Sequence, residues 1–174
     1  IALPARLGET FHVRQAAGAG ISRARADERD LHSPFHGVRA VARPTSFDEH
    51  VALYRPRLRS GQRFVGITAA RLWGLPVPLP WSPAELLELA VPSTQGPPQT
   101  QGVHGRRLAQ GRSTTWKLRG LPAVSPEAAC FSMAALLSAD DAVVMLDALV
   151  TTSLNYPGLA PRRPLSTVEQ ITEQ

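Results

Sequence analysis

Cysteine is nearly absent from this sequence: of 174 residues, only Cys130 is one. A single thiol excludes an internal disulfide and any zinc site built from several thiolates. Lysine is just as scarce, with Lys117 alone among nineteen basic residues, so arginine carries the positive charge. No apolar run approaches the roughly 18 residues of a membrane span, and no signal peptide is visible, which predicts a cytoplasmic protein with no membrane partner. The five histidines are scattered. His32 and His36 stand four apart, but Pro34 between them prevents the helix that would turn both rings toward one metal ion. A metal-dependent nuclease needs carboxylates to hold Mg²⁺ near the scissile phosphate, with a lysine close by, and Lys117 has no acid within two positions. Gly18-Ala19-Gly20 lacks the Lys-Ser/Thr of a P-loop and the strand that precedes a dinucleotide site. Ser125 has no neighbouring base and no Gly-x-Ser-x-Gly elbow. The expectation is a protein that is not an enzyme, with no metal and no cofactor.

What remains is an ordinary globular composition, 43% hydrophobic and 19% charged, in a chain long enough for one compact domain or two small ones. Its charge is unevenly placed. Residues 1–73 hold twelve arginines against six acids, a balance of +6, whereas residues 74–174 hold seven basic and eight acidic groups, a balance of −1. The basic half suits a polyanionic partner.

The stretch from Phe11 to Val41 reads as a small winged helix-turn-helix. Val13 to Gly18 forms a short helix, and Gly18-Ala19-Gly20 supplies a tight turn. Ser22 caps a second helix running to about Asp30, and Pro34 and Gly37 break the chain ahead of the strand-like GVRAV. In such a unit the second helix enters a DNA major groove while the wing touches phosphate. Ser22, Arg25 and Arg29 share one face of that helix. Its three arginines, Arg23, Arg25 and Arg29, are nevertheless cancelled by Asp27, Glu28 and Asp30. A neutral helix binds phosphate weakly, so Arg14, Arg39 and Arg43 must supply much of the attraction.

Beyond this unit, Ser46 and Glu49 form a capping box for a helix whose buried stripe is Phe47, Val51, Tyr54 and Leu58, and Pro56 ends it. Arg55, Arg57, Arg59 and Arg63 cluster near its end, where a solvated face is favoured over an extension of a nucleic-acid surface. FVGITAARLWGLPVP predicts a helix capped by Thr68 and stopped by Gly74, with Leu72, Trp73 and Leu75 in the core. The proline-rich PVPLPWSP marks a domain boundary. Strands follow at LLELAVP, VHGRRL, TTWKLRG and LPAV, with STQGPPQTQG as a hairpin loop. Ser125-Pro126-Glu127 starts one helix, Ser138 with Asp141 starts another, and Cys130, Met133 and Met145 are core residues. Ser166 and Glu169 announce a last helix that the chain cuts short after five residues, as expected for a piece of a longer protein.

In PFHGVRAV, ITAARLWGLPVP, LELAVP, GVHGRRL, RGLPAVSPEAA and DDAVVMLDALV, taken in that order over Phe11 to Leu149, the chain resembles the AbiEi-like antitoxins of abortive-infection toxin–antitoxin systems. It is most similar to their actinobacterial relatives, in which a very-short-patch-repair-like endonuclease domain often follows. The resemblance implies an N-terminal winged helix that binds operator DNA, followed by an α/β antitoxin-type domain. It further implies repression of the protein's own operon and a nucleotidyltransferase-like toxin as protein partner. The chain departs from the family in its electrically neutral second helix and in having Ala26 where relatives have leucine.

The expected architecture is thus α+β: a winged helix-turn-helix over residues 1–80, then a small mixed β-sheet covered by helices over residues 81–174, truncated at its C-terminal end. The expected function is DNA-binding transcriptional autoregulation. Arg14, Ser22, Arg23, Arg25 and Arg29 would face the groove of double-stranded DNA, with Arg39 and Arg43 on the wing, in a protein that is a candidate homodimer. The alternative is the non-catalytic recognition or scaffold region of a larger nuclease-like protein, binding protein rather than DNA; the neutral second helix favours it.

Overall fold

The computed structural model describes residues 3–109, 114–153 and 163–173. Two compact units emerge. The first comprises the described residues up to Ser60 together with Trp81–Glu85 and Thr100–Gly102; the second comprises Gly61–Pro80, Leu86–Gln99 and the described residues from Val103 onward. The proline-rich stretch predicts a boundary near residue 80, whereas Gly61–Pro80 belongs to the second unit, because the strand within it lies in that unit's sheet and the helix within it packs against the same unit.

The first unit begins with a 3₁₀ turn, Ala5–Leu7, and then runs β1 (Thr10–His12), α1 (Val13–Gly18), α2 (Arg23–Ala26), β2 (Val38–Ala40) and α3 (Phe47–Tyr54), followed by a 3₁₀ turn, Arg55–Arg57. β1 and β2 pair antiparallel, with Thr10 opposite Ala40, Phe11 opposite Arg39 and His12 opposite Val38. They bracket the two short helices. Phe11, Ala16 and Leu31 are buried beneath them, with Leu3, Leu7 and Ile21 packed alongside.

Ser22 caps α2 as expected, its Oγ accepting from the Arg25 amide at 3.2 Å. The helix is only one turn long, however, and does not reach Asp30. Acidic residues at a helix C-terminus oppose the macrodipole. Here Asp27 takes the C-cap position and Asp30 turns back to hold Arg25. The unit therefore contains a helix pair closed by a two-stranded sheet, and the expected long second helix is absent from the described residues.

α3 begins at Ser46, whose Oγ accepts from the Glu49 amide at 3.3 Å. Glu49 reaches past the cap to Thr45, accepting from its amide at 2.6 Å and from its hydroxyl at 2.9 Å. Of the expected stripe Val51 and Tyr54 are buried, joined by His50 and Leu53, whereas Phe47 and Leu58 are only half-buried. Phe35 sits edge-on to Tyr54 and stacks on His50, with centroids 5.1 and 5.8 Å apart.

In the second unit, β3 (Arg63–Phe64), α4 (Gly66–Leu72), β4 (Leu87–Pro92), β5 (Val103–Leu108), β6 (Thr115–Leu118) and β7 (Leu121–Val124) precede α5 (Pro126–Met133). A 3₁₀ turn (Ala134–Leu136), α6 (Ala139–Val150) and α7 (Val168–Thr172) complete it. The five strands form one mixed sheet in the order β5-β4-β3-β7-β6. β3, two residues long, lies at its centre, antiparallel to β4 and parallel to β7. β4 and β5 are parallel, so residues 93–102 are not a hairpin loop: they carry the chain back along the sheet before β5 begins.

α4 ends in a Schellman motif, with the Gly74 amide donating to Arg71 O and the Leu75 amide to Ala70 O, each at 2.9 Å. Thr68 does not cap this helix. It is fully buried, and its Oγ1 accepts from the Glu88 amide at 2.8 Å, tying helix to strand. Leu72, Trp73 and Leu75 are core residues, and the Trp73 indole donates to Val124 O at 2.9 Å. Cys130, Met133 and Met145 are buried as expected. Ser125 and Ser138 both cap as their sequences announce. At α7 the cap shifts by one residue: Thr167 and Gln170 form the reciprocal box, while Ser166 is buried. Among the described residues no helix is long and apolar enough to cross a membrane.

Candidate nucleic-acid interface

The first unit carries an open cleft of about 570 Å³. Its lining includes Arg14, Arg23, Arg39, Arg57 and Arg59, with His12 and His36, against one carboxylate, Asp27. Four segments bring these side chains together: the start of α1, the exposed end of α2, the β2 strand with its preceding turn, and the chain leaving α3. Positive charge concentrated in a concave surface is the footprint of a polyanion-binding region.

The seven residues singled out from the sequence fare differently. Arg14 is exposed on α1 and lines the cleft. Arg23 also lines it, with its guanidinium 3.6 Å from Asp27 and almost wholly in solvent. Ser22 is spent on capping α2. Arg25 faces inward: its side chain is 9% exposed, and both terminal nitrogens donate to the Asp30 carboxylate at 3.0 Å while Glu28 lies 3.2 Å away. Arg39 lines the cleft but is heavily engaged, donating to Ala26 O at 2.7 Å, to Ser33 Oγ and Val38 O at 2.9 Å, and to Asp27. That contact also holds the Asp27 carboxyl below its ordinary range. Arg29 follows α2 in an exposed turn, and Arg43 is exposed beyond β2; neither is among the cleft's lining residues.

Two arginines and two histidines join the cleft without having been assigned to it. Arg57 and Arg59 belong to the arginine cluster visible after α3, where the sequence favoured a solvated face. Arg57 donates to the His36 carbonyl, which draws it over the turn before β2. His12 is the N-cap of α1. Its Nδ1 accepts from the Arg14 amide at 3.1 Å, and its own amide donates to the Gln15 side chain at 2.8 Å. Burial pushes the His12 pKa down, and the charges of Arg14, Arg57, His36 and Arg59 push in the same direction. The ring is therefore neutral near pH 7, and because Nδ1 accepts, its proton resides on Nε2.

Elsewhere in this unit His32 is likewise held low, by burial and by Arg43. Among the described residues no three His, Cys, Asp or Glu side chains gather as metal ligands would. No protein family, characterised protein or solved structure matches the chain.

Proposed function

We propose that the chain is a DNA-binding transcriptional autoregulator of the AbiEi-like antitoxin type, acting in the cytoplasm and gripping double-stranded DNA through the cleft of its first unit. The observation that carries this reading is the convergence of five arginines and two histidines around a single carboxylate. Arg14, Arg23, Arg57 and Arg59 are the residues expected to meet phosphate. Arg29 and Arg43, exposed but outside the cleft's lining, are secondary candidates, Arg39 braces α2 against β2, and Arg25 holds the fold. α2 has one turn, with Arg23 as its exposed arginine, so most of the binding free energy comes from the backbone rather than from base edges. A nucleotidyltransferase-like toxin is the protein partner this reading implies, and a homodimer is the form that a palindromic operator would require.

Binding of the full chain to a duplex from its own promoter, against a scrambled duplex over a salt series, tests the reading. Four phosphate contacts predict a log–log slope of roughly −3 to −4. A slope near zero, or equal affinity for both duplexes, rejects a sequence-reading regulator.

A second reading has its own support. Phe131, Leu136, Val143 and Val144, on α5, the 3₁₀ turn and α6, are 44%, 70%, 65% and 47% exposed. Apolar side chains left in water favour a non-catalytic scaffold region of a larger nuclease-like protein, docking on protein rather than DNA. Loss of partner capture on Val143→Asp, with duplex affinity unchanged or absent, would favour it.

A further inference from the structure

A second, shallower recess of about 270 Å³ shares His12, Arg14, Arg57 and Arg59 with the cleft and adds Gln15 to them. None of its described lining residues is acidic. Gly37, which lines the larger cleft, sets how closely two of these side chains approach. This residue has φ +77°, and a Cβ added there would lie 2.9 Å from His12 Nε2 and 3.7 Å from an Arg57 terminal nitrogen. The absence of a side chain at Gly37 thus lets the protonated edge of the imidazole and the guanidinium approach the same stretch of backbone. His12 is held in one tautomer by its cap bond, and Arg57 is anchored through the His36 carbonyl. Both are preorganised donors. Anchoring uses one of the guanidinium's five N–H groups.

We infer that this recess is a site for a single phosphate group, with His12 Nε2–H as a neutral donor and Arg14, Arg57 and Arg59 supplying charge. Donors arriving from separate segments suit a tetrahedral oxyanion, whereas one planar fork would suit a carboxylate. Phosphate here has two sources, the backbone of a nucleic acid or free phosphate. The inference rests on the proposed function only for the choice between them.

The test is an NMR titration of the full chain, following the His12 ring nitrogens and the Arg57 guanidinium, first with inorganic phosphate and then with a duplex. Two variants accompany it. His12→Asn replaces the Nδ1 acceptor of the Arg14 amide with an amide oxygen, since asparagine is among the best N-caps, but loses Nε2–H. Arg14→Ala removes an exposed arginine from the rim. The expected result is that phosphate moves the His12 and Arg57 signals saturably and raises the His12 titration midpoint. The duplex should give the same shifts and be displaced by phosphate. His12→Asn should weaken phosphate binding by about three- to tenfold, the effect of one lost hydrogen bond.

If phosphate moves these signals but no duplex binds, the site stands and the nucleic-acid reading falls. If a duplex binds while His12 and Arg57 respond to neither ligand, the phosphate site is overturned and the nucleic-acid reading survives. If neither ligand binds, both fall.

Discussion

Arg25→Ala separates the two roles open to an arginine in this region. The Arg25 side chain is 9% exposed and forms a two-pronged bond to Asp30, with Glu28 close by; the carboxylates themselves are 57% and 55% exposed. A buried charge-assisted hydrogen bond contributes about 1.5–3 kcal/mol, and a solvent-screened ion pair about 0–1 kcal/mol. This pair lies between those limits, because the carboxylates return to water when the guanidinium is removed. Loss of the packed aliphatic stem adds about 1 kcal/mol. The expected cost is about 1–2 kcal/mol, and for a unit of this size each kilocalorie lowers the midpoint by about 4–8 °C. Thermal unfolding by circular dichroism reads the change, with Arg25→Lys recovering part of it by keeping stem and charge but not the fork. At temperatures where the variant remains folded, its duplex affinity should match the parent within about twofold. An unchanged melting curve with a tenfold loss of affinity would refute this assignment and return Arg25 to the ligand face.

Four other outcomes follow from the geometry. Gly66→Ala should cost about 1–3 kcal/mol in urea unfolding, since Gly66 has φ +55° and a Cβ there would lie 1.9 Å from Glu88 Oε2; an unmoved midpoint would show that Glu88 does not cover this glycine. Trp73→Phe should cost about 1–3 kcal/mol by deleting the indole bond to Val124 O, with equal stability rejecting that bond. The His50 pKa is lowered below 6.5, chiefly by burial and further by His32, against an opposing pull from Glu85. A histidine that resists protonation when folded contributes stability that is complete above about pH 6.5 and lost as pH falls through that value toward its folded pKa. His50→Phe should therefore flatten the decline in unfolding free energy between pH 7 and 5, and an equally steep decline would exclude His50 as its source. Finally, burial and the Glu127 charge push the Cys130 thiol up to about 11, so a thiol reagent should label it only after denaturation. Rapid labelling of the native chain would contradict that burial.

Local signals were legible wherever a side chain acts on its own backbone. Ser22, Ser46, Ser125 and Ser138 announce helix starts that the structure contains. VHGRRL and LPAV are strands at the residues expected, and LLELAVP is one apart from Leu86. The errors came where two segments compete for the same group. Thr68 looks like a cap within its own helix, but a β4 amide takes its hydroxyl. Asp30 looks like the end of a helix, but Arg25 draws it back. STQGPPQTQG has the composition of a hairpin loop, and composition is blind to whether the strands it joins run parallel.

The α+β character and the excess of arginine in the first half are already written in the chain, since composition, periodicity and capping need no long-range partner. Which arginines face solvent and which brace the fold emerges from long-range packing alone. Arg25 and Arg29 share a sequence neighbourhood, yet one is buried against Asp30 and the other is exposed. His12 and Arg57 stand 45 positions apart, yet both meet Gly37. Charge is a property of each residue, whereas its availability depends on which partner the folded backbone brings within hydrogen-bonding distance.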